Sequence, residues 1–247
     1  MSVNLCIDCG NTNIKAAIFV DNSLKKSMII PDEIFVKEIN GLIDQFKPQK
    51  AILSSVTGEN DAMIKFLKEK FKDLVVLEGN TNVPINNAYS SPETLGPDRL
   101  ALITAAYILN PDKNNLVISI GSCITYNFIQ KTKTFRGGAI SPGLYIRLRS
   151  LHEFTGMLPM VDIDGDAQLV GYDTETCIRS GVVFGMAAEI DGIIAQYEEK
   201  YPDFNAILTG GDAPYFADKL KSKIFADPDL LYKGLNIILN HNVPFPL

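Results

Sequence analysis

Residues 8–15 have the composition of a phosphate-binding turn. They follow a short apolar run and read Asp8-Cys9-Gly10-Asn11-Thr12-Asn13-Ile14-Lys15. A turn with glycine lets backbone N–H groups approach an oxyanion, and Asn and Thr side chains add further donors. Asp8 could hold a hydrated Mg²⁺, and Lys15 could reach the same phosphates as a point charge. The pattern predicts a phosphate-binding hairpin, with an ordinary Asn/Gly hairpin turn as the alternative.

A second stretch, residues 116–129, repeats this arrangement with one change. It also runs from an apolar strand into a turn with a glycine and a hydroxyl, Gly121 and Ser122, and leaves as a second strand. Ser119 stands where the first stretch has Asp8. A third strand-like run ends in the turn Gly210-Gly211. The chain therefore has three turns that suit phosphate groups.

A third motif combines an acid and a base. Gly96-Pro97-Asp98-Arg99 puts a carboxylate and a guanidinium side by side at the predicted start of a helix. An Asp orients or deprotonates the attacking hydroxyl in many phosphoryl transfers, and the planar fork of Arg can hold a pair of substrate oxygens. The alternative is an acidic first helical turn followed by a surface ion pair.

The elements that must position these motifs occur in two similar series. Strands are predicted at 3–9, 12–20 and about 25–30, and again at 115–119, 123–130 and 134–140. Each series continues with alternating helices and strands, including helices at about 98–109 and 174–200. This order predicts a duplicated α/β unit whose halves are residues 1–112 and 113–247 of one body.

The motifs also occur in the order found in a known family. The stretch AYSSPETLGPDRLA (88–101) resembles the Y-x-x-P-x-x-L-G-x-D-R-x-x-A sequence of type III pantothenate kinases. DxGNT opens the chain, and GGAISPG (137–143), TGMLP (155–159), VGYDTETCIRSGVVFG (170–185) and ILTGG (207–211) follow. The resemblance implies a duplicated actin-like ATPase (ribonuclease H-like) fold, with two βββαβα halves around a nucleotide cleft. It also implies ATP-dependent phosphorylation of pantothenate to 4′-phosphopantothenate, the first step of coenzyme A biosynthesis.

The resemblance further implies roles for particular residues. Asp98 would be the catalytic residue that faces the primary hydroxyl of pantothenate, in a substrate site with Gly96, Pro97 and Arg99. Two residues from elsewhere would complete that site: Tyr89, whose alternative is a half-buried loop tyrosine, and Thr174, reaching in from the partner of a homodimer. A helix N-cap is the alternative for Thr174. ATP with Mg²⁺ would be held by residues 8–15, by Gly121 and Ser122, and by Gly210 and Gly211 near the adenosine.

The second hairpin departs from the family pattern D-x-G-T-A-x-T. Ser119 replaces the acid that binds a monovalent cation in the family, K⁺ or NH₄⁺, and Asn127 stands where a second acid often follows. A neutral hydroxyl oxygen binds such a cation more weakly than a carboxylate does. Three consequences stay open: loss of the cation requirement, a need for more K⁺, or impaired phosphoryl transfer.

The composition of the chain argues against several other classes of protein. The net charge of −6 argues against a phosphate-backbone binder, and no apolar run is long enough to cross a membrane. Cys6 and Cys9 have the spacing of a CxxC motif, but they fall on a predicted strand and should point to opposite faces, whereas a redox CxxC normally opens a helix. Buried thiols and the absence of a signal-peptide pattern predict a cytoplasmic protein. Two histidines outside any ligand-spaced cluster argue against a histidine metal site. A non-catalytic regulator and a different small-molecule kinase of the same fold remain as alternatives.

Overall fold

The computed structural model describes residues 2–56, 61–165, 167–201 and 203–244. The chain forms two compact units, and each combines separate parts of the sequence. The first comprises Met1–Pro111, Ile129–Gly137 and Asp229–Leu247, and the second comprises Asp112–Phe128 and Gly138–Pro228. The predicted division into halves at residue 112 stays a prediction. Two segments that follow residue 112, Ile129–Gly137 and Asp229–Leu247, belong to the first unit.

The helices and strands of the described residues follow the predicted order. In chain order they are β1 Val3–Cys9, β2 Ile14–Val20, β3 Ser23–Ile30, α1 Phe35–Phe46, β4 Lys50–Ser55, α2 Asp61–Lys70, β5 Asp73–Leu77, β6 Asn86–Asn87, α3 Pro97–Leu109, β7 Asn114–Ile120, β8 Cys123–Ile129, β9 Thr134–Pro142, α4 Leu144–Glu153, α5 Thr174–Lys200, β10 Phe204–Thr209, α6 Ala213–Ala217, β11 Phe225–Ala226 and α7 Leu230–Asn242. Short 3₁₀ turns precede α1 and α3.

The first unit is built on a five-stranded sheet with the order β3-β2-β1-β4-β5. β1, β2 and β3 pair antiparallel, whereas β4 and β5 run parallel to β1. Side chains alternate between the two faces of a strand. Accordingly Cys9 packs into the core formed with α1 and α2, and Cys6 packs into the core formed with α3 and α7. The prediction that these two thiols point to opposite faces is confirmed, and the same alternation turns Asp8 toward α3 and α7.

The second unit contains strands in the order β11-β10-β7-β8-β9, with β10 parallel to both β7 and β11. Its core packs the long helix α5 against this sheet through buried side chains such as Val183, Met186 and Ile190. β9 begins in the first unit, where Thr134 and Phe135 pair with β6. Residues 81–97, which are rich in Asn, Ser and Pro, thus contain one short strand.

The start of α5 corrects one alternative reading of the sequence. Asp173, not Thr174, is the N-cap: its Oδ1 accepts the backbone N–H of Thr176 at 2.8 Å. The Thr176 hydroxyl in turn accepts the backbone N–H of Asp173 at 3.0 Å, which completes a capping box. A carboxylate at this position also interacts favourably with the helix dipole. Thr174 is therefore an exposed first helical residue without the capping role.

No helix in the described part of the chain is long and apolar enough to cross a membrane. All four cysteines are free thiols. Cys6 and Cys9 are buried, whereas Cys177 lies exposed on the first turn of α5.

Candidate active site

The predicted first hairpin forms as β1, a four-residue turn and β2. The backbone N–H of Gly10 donates to the carbonyl of Asn13 at 3.1 Å and closes the turn. The three polar residues Asn11, Thr12 and Asn13 are exposed, whereas Cys9 and Ile14 on either side are buried in the core. The polar side chains of the turn are therefore available to a ligand, and Cys9 and Ile14 could contact one only through the backbone.

Asp8 lies at the base of this hairpin and is buried, with 4% of its surface exposed. The strand register places it opposite Lys15 on β2 and opposite Ser54 on β4. The Ser54 hydroxyl donates to Asp8 Oδ1 at 2.9 Å. Burial and the negative charge of Asp98 raise the pKa of Asp8 to about 6, against the hydrogen bond from Ser54 and the charge of Lys15. Asp8 and Asp98 are thus close enough to influence each other.

Asp98 occupies the first turn of α3, which begins with Gly96 as N-cap and Pro97 as first helical residue. Its carboxylate folds back over Gly96, where a Cβ would lie only 2.5 Å from Asp98 Oδ1. Burial raises the pKa of Asp98, although backbone N–H groups, the Arg99 guanidinium and Lys15 act in the opposite direction. A carboxylate with a raised pKa is a stronger base at neutral pH, which is what proton removal from a hydroxyl requires.

Arg99 and Tyr89 form the neighbouring part of the site in the first unit. Arg99 is buried, and its guanidinium carbon lies 5.7 Å from the centre of the Tyr89 ring, within the range of a cation–π interaction. Tyr89 is half-buried and stacks on Phe135 with ring centres 6.0 Å apart. The described geometry therefore gives Arg99 a supporting contact with Tyr89. A direct contact of Arg99 with a substrate stays a prediction.

In the second unit, the two predicted glycine turns lie side by side. The backbone N–H of Asp212, just after Gly210-Gly211, donates to the carbonyl of Ile120 at 3.1 Å. Gly210 has φ +100°, and a Cβ there would lie 2.2 Å from the same carbonyl, so only glycine fits. Gly121 and Ser122 follow directly, and Ser122 is exposed. The arrangement presents both turns at the ends of the adjacent strands β7 and β10.

The two positions that lack the family's acids have different surroundings. Ser119 is half-buried near the end of β7 and pairs with Thr209 of β10. Asn127 is fully buried, and its Nδ2 donates to Thr125 Oγ1 at 3.0 Å. An ionised carboxylate could not make that donation. Asn127 is therefore enclosed within the fold, and Ser119 is the more accessible of the two positions.

Thr174, the remaining predicted substrate residue, lies in the second unit on the exposed first turn of α5. Ser54 was missed by the sequence analysis, because only the parallel pairing of β4 with β1 brings it to Asp8. The sequence feature that could have indicated Ser54 is the pair of hydroxyl residues, Ser54 and Ser55, at the end of a buried strand. Among the described residues, no group of three His, Cys, Asp or Glu side chains could hold a metal ion. A Mg²⁺ ion bound through one carboxylate, phosphates and water fits Asp8 nevertheless.

Comparison with known proteins adds to this geometry. Residues 4–196 match the model of a family described as type III pantothenate kinase. A type III pantothenate kinase from Bacteroides fragilis is 42% identical over 240 residues, which cover 97% of this chain and 98% of the relative.

Solved structures show the same fold at low sequence identity. One is a Campylobacter jejuni protein assigned to the Baf transcriptional activator family, with a TM-score of 0.63, 21% identity, and coverage of 98% of this chain and 100% of that chain. Another is an inorganic polyphosphate/ATP-glucomannokinase from an Arthrobacter species, with a TM-score of 0.51, 16% identity and 98% coverage of each chain. The predicted duplicated actin-like ATPase fold is confirmed.

Proposed function

Because this chain belongs to the type III pantothenate kinase family, we propose that it transfers the γ-phosphoryl group of ATP to the primary hydroxyl of pantothenate. The products are 4′-phosphopantothenate and ADP, and the reaction opens coenzyme A biosynthesis. The observation that carries the proposal is the group formed by Asp98, Asp8 and Lys15 in the first unit. It combines two buried carboxylates of raised pKa, of which Asp98 raises the pKa of Asp8, with the cation of Lys15, which acts on both in the opposite direction.

In the proposed reaction, Asp98 accepts the proton of the attacking hydroxyl. Its position at the start of α3 and its raised pKa suit this role. Tyr89, Gly96, Pro97 and Arg99 bind pantothenate around it. Phosphoryl transfer needs little covalent participation by the protein, so the reaction depends on positioning and charge stabilisation.

The nucleotide is proposed to bind through the three glycine turns. Gly10, the exposed residues 11–13 and Lys15 contact phosphate oxygens. Gly121 and Ser122 do the same, while Gly210 and Gly211 approach the adenosine. Asp8 holds the Mg²⁺ ion, directly or through water. When bound, the metal neutralises charge that develops on the phosphate oxygens.

Turnover without K⁺ is the expected result of an ADP-release assay with pantothenate, ATP and Mg²⁺, because Ser119 replaces the family's cation-binding acid. A tetramethylammonium salt keeps the ionic strength equal. We further expect Ser119→Asp to introduce stimulation by K⁺, since it adds a carboxylate at the end of β7. Turnover of the natural protein only with K⁺ would mean that other groups complete a cation site. No turnover in either condition would favour a non-catalytic regulator.

The protein is also proposed to be a cytoplasmic homodimer in which Thr174 reaches the partner's pantothenate. The segment 154–172, between α4 and α5, supports a subunit interface because it exposes large apolar side chains. Their exposed fractions are 84% for Phe154, 95% for Met157, 73% for Leu169, 77% for Val170 and 76% for Tyr172. Exposed apolar patches of this kind commonly mark interaction surfaces.

Sedimentation is therefore expected to show a dimer. The double variant Phe154→Glu/Leu169→Glu should sediment as a monomer and lose turnover, because each site would lose the partner's Thr174. Phe225→Glu is the matched control, since Phe225 is also exposed but lies on β11. A monomeric natural protein with full turnover would contradict the proposed dimer.

A further inference from the structure

A charged cluster beside the second hairpin has no part in the proposed reaction. Glu189 on α5 forms an ion pair with Arg147 on α4 and also accepts a hydrogen bond from the Tyr126 hydroxyl of β8 at 2.9 Å. Two further ion pairs, Arg149–Glu153 and Arg179–Glu175, each join two positions of one helix. The Glu189–Arg147 pair instead connects two different helices.

The same guanidinium also holds the segment that precedes α4. Arg147 Nε donates to the carbonyl of Pro142 at 2.8 Å, and its Nη2 donates to Ser141 Oγ at 2.9 Å. The planar fork of Arg can serve several acceptors in fixed directions at once, which a Lys ammonium on a flexible stem does less well. Residues 141 and 142 are therefore fixed to α4, and through Glu189 to α5.

This segment in turn contacts the second glycine turn. The backbone N–H of Gly143 donates to the carbonyl of Ser122 at 3.0 Å. A Cβ at Gly143 would lie 2.0 Å from the carbonyl of Gly121, so the two backbones approach as closely as glycine allows. A displacement of residues 141–143 would therefore displace the Gly121-Ser122 turn.

The interactions of the cluster keep Glu189 ionised and Tyr126 protonated. Burial raises the pKa of Glu189, but hydrogen bonds from Arg147, Tyr126 and Ser141 outweigh it and hold that pKa below its ordinary value. Burial and the neighbouring Glu189 raise the pKa of the Tyr126 hydroxyl, which therefore remains a donor. Tyr126 is fully buried, while Arg147 and Glu189 keep about a quarter of their side chains exposed. A single substitution here leaves partly buried partners without their hydrogen bonds.

We propose that Arg147 and Glu189 are positioning residues for the nucleotide. Together they fix residues 141–143, and through these the backbone of the Gly121-Ser122 turn, so that the turn is preorganised for phosphate. The inference rests on the proposed function, which assigns this turn to ATP. Neither side chain needs to touch the nucleotide itself.

The decisive variant is Glu189→Gln, which keeps the shape of the side chain and removes its charge. We expect the KM for ATP to rise about 10- to 100-fold, because small misplacements of a binding group have effects of this size. The KM for pantothenate should stay within about twofold. Glu153→Gln is the matched control, since it removes the exposed ion pair with Arg149 on the same helix α4. Its KM for ATP should equal that of the natural protein.

Two further measurements separate positioning from general stability. Calorimetric titration should show that Glu189→Gln binds ADP more weakly than the natural protein does, by the same factor as the rise in KM for ATP. The titration is done at a temperature where both proteins are folded. Arg147→Lys keeps the charge but cannot hold Ser141 and Pro142 in the same fixed geometry. It should raise the KM for ATP while changing the melting temperature little, and it decides the question if Glu189→Gln does not fold.

The possible outcomes are distinct. If the natural protein turns over and Glu189→Gln matches Glu153→Gln in KM and ADP affinity, the inference is wrong. The same holds if Arg147→Lys leaves the KM for ATP unchanged. A melting temperature that falls without any change in nucleotide affinity would identify the cluster as a purely structural contact. If the natural protein itself shows no turnover, the proposed function fails, whereas an ADP affinity that depends on Glu189 would still support the positioning role.

Discussion

Asp98→Asn is expected to lower turnover about 10²–10⁴-fold, the range for loss of a general base. The amide keeps the size of the side chain and can still accept the backbone N–H groups at the start of α3, so the helix should remain formed. The substitution removes only the proton acceptor for the hydroxyl of pantothenate, so the KM for ATP should change little. The measurement is ADP release at saturating ATP and pantothenate, with the KM for each substrate determined separately.

Glu93→Gln provides the control for this variant. Glu93 is an exposed acid in the 3₁₀ turn just before α3, so its replacement removes a nearby charge without touching the proposed base. It should keep turnover within about twofold. The natural protein should also lose turnover as the pH falls through the raised pKa of Asp98, since the base must be ionised. If Asp98→Asn retained more than about a tenth of the natural turnover, Asp98 would not be the base.

The sequence predicted the first hairpin because everything that forms it is local. Two short, mostly apolar runs specify β1 and β2, and the polar turn between them supplies the donors. The N-terminus of α3 was equally predictable from Gly96 and Pro97. The alternative prediction of an N-cap at Thr174 was wrong by one residue, since the N-cap is Asp173. Asp and Thr are both good N-cap residues, and only the hydrogen bonds distinguish them.

The electrostatics of the site could not be predicted in this way. Asp8 acquires its raised pKa from burial and from Asp98, and these residues meet only after β1 and α3 have packed. Arg99 was predicted as a substrate contact, but its burial beside Tyr89, which a separate loop supplies, had no local signal in the sequence. The Arg147–Glu189 pair similarly joins two helices whose contact no local pattern specifies. Such pairings depend on tertiary contacts, for which a single sequence has no periodic signal.

Asp8→Asn is expected to abolish most activity, with turnover reduced on the order of 10²-fold or more because the charge that holds Mg²⁺ at the phosphates is lost. Asp44→Asn, which removes an exposed acid of α1, should leave turnover unchanged. Titration with Mn²⁺ in the presence of ADP should show weaker metal binding for Asp8→Asn only. Natural turnover in Asp8→Asn would exclude the proposed metal role.

The same substitution should stabilise the protein without ligands, and the effect should depend on pH. The pKa of Asp8 is raised from 3.8 to about 6 in the folded state, so the protonated form favours folding. This stabilisation is complete below about pH 4 and is lost as the pH rises through 6. Because a tenfold change in proton affinity corresponds to about 1.4 kcal/mol, ionisation of Asp8 at pH 8 costs the folded state on the order of 3 kcal/mol.

An Asn side chain carries no charge and escapes this cost. Urea unfolding in EDTA should therefore give Asp8→Asn a higher free energy of unfolding than the natural protein at pH 8, by about 2–3 kcal/mol. The difference should disappear near pH 4, where Asp8 in the folded protein is already neutral. Asp44→Asn should show no such pH dependence. If Asp8→Asn is inactive but more stable at pH 8, the fold tolerates a buried acid that the reaction needs. If its stability at pH 8 is equal to or lower than that of the natural protein, the raised pKa of Asp8 is contradicted.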